Sequence, residues 1–427
     1  MCCEISLLFD LHCCLITPLA SCMKRGFVMV MDVLKKYSLG TLDLKNRIAM
    51  APLTRQCADD DGTPNGEMLA YYSRRARGGV GLIITEGTYP ADNLGAIGYL
   101  NQPGIANERH QAEWKKIVDA CHKHGSKIIL QLMHAGRVAD PRTLKSGERP
   151  VSASDTKSTG WVLYTDTQDE LHDRGLQGNW PQINFPQAKS LDLQDLDSIA
   201  DDFADAAKRA VECGFDGVEI HGANGYLLYQ FTDPKQNLRT DKYGGSVENN
   251  LRFPIMVVDR VRSMIGKDKI ISYRISQDGV DDFDGRWPDG QSYAVEIGKE
   301  LQKMDADVIH WSSFDWKDNR FDNAQPPIPI TLKKESGKPL ITNGNIFDGD
   351  TAEEVINKNA GDIVAVGRPL FAHPDWVYIV ASGIPYDWME FDRKYVIRPP
   401  YDYSYSYPSG LPKRDWSPDA KLEREKS

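Results

Sequence analysis

A helix followed by a buried strand and a polar turn is encoded by residues 191–226, LDLQDLDSIADDFADAAKRAVECGFDGVEIHGANGY. Apolar residues recur with helical spacing from Leu193 to Cys213, and Asp192 stands before them as an N-cap. A short run with Val218 and Ile220, Asp216–Ile220, follows and predicts a strand that is covered on both faces. This order of elements is one repeat of an α/β fold with a parallel sheet.

The same alternation recurs along the rest of the chain and predicts eight strands. Helical spacing separates most of them, at 107–122, 247–265, 291–304 and 349–358. Eight parallel βα units close into a barrel, so we predict an α/β fold with a single (β/α)₈ TIM barrel over residues 31–400. The predicted strands are Ile48–Ala51, Gly81–Thr85, Lys127–Leu132, Asp216–Ile220, Lys269–Arg274, Asp307–Trp311, Lys338–Thr342 and Asp362–Val366.

Two long stretches do not fit the repeat and predict long loops. Residues 137–190 follow the third strand and are rich in Pro, Gly, Ser and charged residues, and residues 312–337 follow the sixth strand. Long loops of compact domains usually form functional rims or lids. Residues 401–427 are interpreted as a C-terminal tail.

The first 30 residues differ in composition from the rest of the chain. They are apolar and hold five of the eight cysteines, and their basic residues, Lys24 and Arg25, follow the apolar stretch instead of preceding it as in a secretory signal. We interpret residues 1–30 as a disordered extension or a mis-assigned start, with Met31 as the natural beginning. An organelle-targeting segment is the alternative. The body of the chain indicates a reduced, cytoplasmic protein.

The overall charge and the missing motifs narrow the classes of function. A net charge of −10 argues against nucleic acid or an anionic membrane as the main partner. The cysteines lack the spacing of zinc or iron–sulfur ligands, so no metal site is predicted. The chain contains no GxGxxG or Walker-type loop, so a nicotinamide cofactor would bind outside a Rossmann domain. We expect a monomer or a homodimer that acts on a small molecule.

Residues that can take part in catalysis follow the predicted strands. In β/α barrels, active sites lie at the carboxyl ends of the strands. His221, Asn224 and Tyr226 follow the fourth strand within six residues. An imidazole and an amide donate hydrogen bonds to one carbonyl oxygen, and a phenol donates a proton to a carbanion. Any one of these residues alone would more often be structural, but the group favours a catalytic site.

The last two strands end in glycine-containing turns, each followed by a short helix. This is the usual phosphate site of the barrel, where backbone N–H groups face an anion. Arg368 adds a bidentate cationic donor. Together with the other strand ends, the candidate site residues on this face are Ala51, Pro52, Leu53, Thr54, Gly87, Gln131, Arg274, Asn343, Gly344, Asn345, Gly367 and Arg368.

Five motifs follow one another along the predicted barrel: NRIAMAPLTR at 46–55, QLMHAGR at 131–137, IHGANGY at 220–226, DKYGGS at 241–246 and GRP at 367–369. In this order they resemble the Old Yellow Enzyme family of FMN ene-reductases. The resemblance covers roughly residues 32–400. Thr54 and Asn224 are similar to the branch that holds the yeast, plant and many bacterial enzymes.

The resemblance implies a role for each candidate residue. Residues 51–54 would line the flavin, with the Thr54 hydroxyl on its O4, and Gly87 would let the backbone approach the ring. Gln131 would bond the pyrimidine edge and Arg274 would lie beside N1 and O2. Residues 343–345, 367 and 368 would hold the phosphate.

On the substrate side, the resemblance implies that His221 and Asn224 hold a carbonyl group. Tyr226 would supply the α-proton after hydride reaches the β-carbon. NAD(P)H and an electron-poor alkene would use the same flavin face in turn, which gives ping-pong kinetics.

Two other functions remain open on the sequence alone. One is an FMN-bearing sensor or partner-binding barrel that does not turn over alkenes, although a sensor has no need of the proton donor Tyr226. The other is a barrel that binds a sugar phosphate, which has no need of Gln131 or Arg274.

Overall fold

The computed structural model describes residues 31–145, 147–158, 185–282, 284–318 and 325–383. The expectations for residues 1–30 and 401–427 therefore lie outside the described residues. Twelve strands occur in the described part of the chain, in order β1 to β12. They are Tyr37–Leu39, Leu42–Leu44, Ile48–Met50, Leu82–Ile84, Lys127–Leu132, Val151–Ser152, Lys189–Ser190, Gly217–Asn224, Ile270–Gly279, Val308–Trp311, Leu340–Thr342 and Ile363–Val366.

Ten α-helices, α1 to α10, occur in the same residues. Short 3₁₀ helices also form at Asp32–Leu34 and Gly136–Val138. None of the described helices is long and apolar enough to cross a bilayer. The α-helices are Gly66–Arg77, Glu108–Lys123, Leu193–Glu212, Leu227–Thr232, Val247–Ile265, Gln291–Lys303, Ile328–Ser336, Gly349–Asn357, Arg368–Ala372 and Trp376–Ser382.

Eight of the strands form a closed barrel, which confirms the predicted fold class. Their order around the barrel is β3-β4-β5-β8-β9-β10-β11-β12, and β12 pairs with β3 to close it. Every pair is parallel, as expected for strands that are joined by helices. The carboxyl ends of all eight strands therefore meet at one end of the barrel.

The apolar residues form two layers around the sheet. Inside the barrel, small and branched side chains such as Ala49, Ile84, Ile129 and Ile341 fill the centre. A larger layer lies between the strands and the surrounding helices. The antiparallel hairpin β1–β2 adds Leu39, Leu42 and Leu44 to the inner layer. One end of the barrel is filled in this way, and the polar strand ends lie at the other.

The two predicted loops contain regular structure. Within 137–190, β6 pairs with β7, while residues 159–184 lie outside the described part. Within 312–337, the expectation of a loop is wrong for α7, Ile328–Ser336. The sequence hides this helix because it is only nine residues long and has Pro327 and Pro329 at its start, a pattern more typical of a turn.

Candidate active site

A cavity of about 640 Å³ opens at the carboxyl end of the barrel. Residues from β5, β8, β9 and β12 and from the segments after β3, β10 and β11 line it. All but one of the residues predicted from the strand ends meet there. Those that line the cavity are Ala51, Pro52, Leu53, Thr54, Gln131, His221, Asn224, Tyr226, Arg274, Asn343, Gly344, Asn345, Gly367 and Arg368.

Gly87 is the predicted residue that does not line the cavity. A Cβ atom at this position would stand 2.6 Å from Sδ of Met133, which does line it. The Gly87 carbonyl also accepts a hydrogen bond from Nε2 of Gln102 at 2.9 Å. Gly87 therefore packs against a residue of the cavity wall, and a larger residue at this position would collide with Met133.

His221 is buried, and its tautomer is set by its own turn. The Ala223 N–H donates to Nδ1 of His221 at 3.2 Å, so the neutral ring carries its proton on Nε2. Burial, and next the positive charge of Arg274, hold the pKa of His221 well below its usual value of 6.5. His221 is therefore a neutral hydrogen-bond donor in the cavity wall.

Asn224 also presents donors to the cavity. Its backbone has a φ of 58°, beside a register shift in the pairing of β8 with β9. The Ser312 hydroxyl donates to Oδ1 of Asn224 at 3.1 Å. Since Oδ1 is engaged, the Nδ2 hydrogens remain for a ligand. His221 and Asn224 thus supply two N–H donors from one strand end.

Tyr226 is buried and paired with a second phenol. Its ring lies edge-on to that of His221, with 4.9 Å between centroids, and its hydroxyl is hydrogen-bonded to that of Tyr99. Burial raises the pKa of Tyr226 to about 12, while the bond from Tyr99 and the charge of Arg274 act to lower it. Tyr226 therefore keeps its proton at neutral pH.

Arg274 forms another part of the wall. Arg274 is only 6% exposed, and its Nη2 donates to Oδ1 of Asn343 at 3.3 Å. Its Nε is buried without a hydrogen-bond partner among the described residues. A buried guanidinium with a spare donor suits an electron-rich or anionic ligand group.

The turn after β11 requires a glycine at position 344. Gly344 has a φ of +125°, and a Cβ atom there would stand 2.7 Å from Oγ of Ser313. Beside this turn, Nη2 of Arg368 donates to Oδ1 of Asn345 at 3.0 Å. The Arg368 guanidinium lies 4.6 Å from the ring centroid of Phe347. The end of the cavity that is predicted to hold a phosphate thus consists of a tightly packed backbone turn and one arginine.

Sequence reasoning missed four residues that act on the predicted ones. Tyr99 and Ser312 lie in loops without any periodic pattern, and only the fold brings them to Tyr226 and Asn224. The other two, Glu219 and His310, are fully buried in strands β8 and β10. A charged residue inside an apolar strand was a signal available in the sequence.

Known proteins resemble this chain over most of its length. The model of the NADH:flavin oxidoreductase / NADH oxidase family matches residues 34–387. NADH oxidase from Thermoanaerobacter brockii is 33% identical over 79% of this chain, which spans about half (49%) of that enzyme. 12-Oxophytodienoate reductase 1 from Oryza sativa subsp. japonica is 34% identical over 82% of this chain and 86% of that protein.

Solved structures share the fold. The old yellow enzyme homologue from Zymomonas mobilis superposes with a TM-score of 0.72 at 29% identity, over 86% of this chain and 98% of that one.

Proposed function

Since the chain belongs to the NADH:flavin oxidoreductase / NADH oxidase family, within which it resembles the Old Yellow Enzyme group, we propose that it reduces the C=C bond of α,β-unsaturated carbonyl compounds. It is a flavin oxidoreductase with FMN as cofactor and NAD(P)H as reductant. The observation that carries the proposal is the grouping of His221, Asn224 and Tyr226 in one cavity wall beside Arg274.

The residues of the cavity fit FMN. Nε2 of Gln131 is bonded to Glu219 at 2.8 Å, which leaves the Gln131 carbonyl oxygen for the N–H of a pyrimidine ring. The spare donor of Arg274 suits the oxygen and nitrogen acceptors of the same ring. The Gly344 turn and Arg368 suit the phosphate. In this arrangement, residues 51–54 line the flavin.

Bound FMN supplies the two-electron chemistry between NAD(P)H and the alkene. The Nε2 hydrogen of His221 and the Nδ2 hydrogens of Asn224 bind the substrate carbonyl oxygen. Negative charge that develops on this oxygen is stabilised by these fixed donors, as in an oxyanion hole. The Tyr226 hydroxyl then gives its proton to the α-carbon, and Tyr99 holds that hydroxyl in place.

The substrate class follows from these groups. Two donors for one oxygen and one acid for the neighbouring carbon suit an enone, an enal, a maleimide-like compound or a cyclopentenone such as oxophytodienoate. We propose that NAD(P)H and the alkene use this cavity in turn, which gives ping-pong kinetics.

Anaerobic stopped-flow absorbance tests the proposal. The purified protein, reduced with NADPH, is mixed with cyclohexenone or a maleimide. We expect a yellow protein that bleaches and recovers its colour rapidly with the alkene. A protein that recovers only with oxygen would contradict alkene reduction and favour a sensor. A colourless protein that FMN does not restore would contradict the cofactor assignment and favour a sugar-phosphate barrel.

A further inference from the structure

A row of hydrogen bonds crosses the barrel from β5 to Asn343, directly after β11, through two buried residues that do not line the cavity. Glu219 on β8 is fully buried. Its carboxylate accepts hydrogen bonds from Nε2 of Gln131, from Oγ of Ser272 and from Nδ1 of His310, each at 2.8 Å. Three strands are thus tied to one carboxylate.

His310 on β10 continues the row to Asn343. Its Nε2 lies 3.1 Å from Oδ1 of Asn343. The Asn343 amide is oriented by its Nδ2, which donates to the Ser313 carbonyl oxygen at 3.0 Å. Oδ1 is therefore the acceptor, and both ring nitrogens of His310 face acceptors. A ring with two protons, which is an imidazolium, satisfies both contacts.

The pair is consistent with a buried ion pair. The His310 charge and the hydrogen bonds hold the pKa of Glu219 at about 2, against burial, which acts to raise it. Burial and the charge of Arg274 hold the pKa of His310 below its usual value of 6.5, although Glu219 and Asn343 act to raise it. The imidazolium therefore rests on the two acceptors that its ring nitrogens face. His221, which is neutral, lies beside the same three groups, Glu219, His310 and Arg274.

Each end of the row fixes a cavity residue. Because Gln131 donates its Nε2 to Glu219, its amide cannot flip, and only its oxygen remains for a ligand. At the other end, Asn343 Oδ1 accepts from both His310 and Arg274 and so holds the guanidinium.

The Glu219–His310 pair also affects the positive charge at Arg274. Because His310 compensates Glu219, the positive charge of Arg274 is not neutralised by the buried carboxylate beneath it.

We propose that Glu219 and His310 are a positioning pair for the flavin, which orients Gln131 and Arg274 and keeps the reduction potential of the bound flavin high. This rests on the proposed function, since it takes FMN as the ligand of the cavity. Neither residue lines the cavity, so neither is a catalytic residue.

Two substitutions in the FMN-loaded enzyme test the pair. His310→Gln removes the positive charge and leaves the Glu219 carboxylate uncompensated beside the flavin. We expect a lower midpoint potential, because a buried negative charge disfavours the anionic reduced flavin. Glu219→Gln removes the carboxylate, and His310 then becomes neutral, so the net charge of the pair stays at zero. We expect little change in potential.

The affinity for FMN gives a second measurement. We expect Glu219→Gln to raise the Kd of FMN by about tenfold or more, because Gln131 loses the charged acceptor that orients it. The double variant Glu219→Gln with His310→Gln should return to the wild-type potential but keep the weaker FMN binding. Ser272→Ala is the matched control, because it removes one hydrogen bond from Glu219 without changing any charge, and its potential should stay at the wild-type value.

The outcomes separate this inference from the proposed function. An unchanged midpoint potential in His310→Gln would contradict the proposed role of the pair. An equal fall of the potential in all three variants, at residues 219, 272 and 310, would contradict it as well. A large rise in the potential of Glu219→Gln would also overturn it, because His310 would then not compensate the carboxylate. If His310→Gln does not fold, the midpoint potential and the Kd of FMN measured for Glu219→Gln still test the proposal. A wild-type protein that neither binds FMN nor reduces alkenes would instead overturn the proposed function.

Discussion

Tyr226 is placed to protonate the α-carbon, and its removal should separate the two halves of the reaction. Tyr226→Phe keeps the ring and loses only the hydroxyl. Flavin reduction by NAD(P)H should stay near normal, and the alkene half-reaction should slow by ~10²–10⁴-fold, which is the usual contribution of a general acid. Stopped-flow measurement of each half-reaction checks this. Unchanged alkene turnover would show that the proton comes from elsewhere.

The Tyr99 hydroxyl should matter only through Tyr226. Tyr99 acts to lower the pKa of Tyr226, because a hydrogen bond stabilises the phenolate that remains after proton transfer. Tyr99→Phe should therefore slow the alkene half-reaction by roughly 10- to 150-fold, since a hydrogen bond to a charged group is worth ~1.5–3 kcal/mol. In the Tyr226→Phe background the same change should have almost no effect. Additive losses would mean that Tyr99 acts on the substrate directly.

The protonation states of the site predict a flat pH profile. Tyr226, with a pKa of about 12, keeps its proton throughout neutral and mildly basic solution. His221, with a pKa well below 6.5 because it is buried, stays neutral over the same range. The rate of the alkene half-reaction at saturating substrate should thus be constant from about pH 7 to 9. A titration within that range would assign the proton transfer to another group.

At the level of elements, the sequence predicts the apolar strands best and their polar ends least well. The bounds of β5 and α5 agree with the prediction, because each is a clear apolar pattern between breakers. In contrast, β8 and β9 run four and five residues beyond their predicted ends, to Asn224 and Gly279. Pairing between neighbouring strands extends them through polar residues, and no local pattern reports that pairing.

A buried ion pair ties the 3₁₀ helix Gly136–Val138 to the segment after β9. Nη2 of Arg137 lies 2.6 Å from Oδ2 of Asp281, with side-chain exposures of 10% and 0%. Asp281 directly follows Val280, which lines the cavity. Asp281→Ala should lower the free energy of unfolding by about 3–5 kcal/mol, because it leaves the Arg137 guanidinium buried without its partner. Denaturant titration measures this.

The matched control for this pair removes both charges. Arg137→Met combined with Asp281→Leu should cost much less than Asp281→Ala alone, since no unpaired charge remains. A loss below about 1 kcal/mol for Asp281→Ala would show that the pair behaves like an exposed one.

For the molecule as a whole, parallel topology explains why so much of the site was predictable. Once eight parallel strands form a closed barrel, their carboxyl ends meet, and residues as distant in sequence as Ala51 and Arg368 line one cavity. Contacts across the barrel interior were not predictable in this way. Glu219 and His310 are 91 residues apart, and their contact depends on the register of three strands.

Buried neutral histidines should make the fold sensitive to acid. His134 is 2% exposed, and burial lowers its pKa to about 3. Its Nδ1 accepts the Gly136 N–H at 3.1 Å, a bond that protonation would break. Below pH 6.5 the unfolded chain binds a proton at this residue and the folded chain does not, so the free energy of unfolding falls by about 1.4 kcal/mol per pH unit down to the folded pKa.

Glu86 opposes this trend, so a variant is needed to isolate His134. Burial raises the pKa of Glu86 to about 7. Between pH 7 and its ordinary pKa of 4.5, the folded chain binds a proton at Glu86 and the unfolded chain does not, so the folded state gains stability as the pH falls. The stability difference between wild type and His134→Gln cancels the contribution of Glu86. That difference should shift by about 2 kcal/mol in favour of the variant between pH 7.5 and pH 5. Denaturant titrations of both proteins at saturating FMN measure it, and an equal difference at the two pH values would mean that His134 has the same pKa in the folded and the unfolded chain.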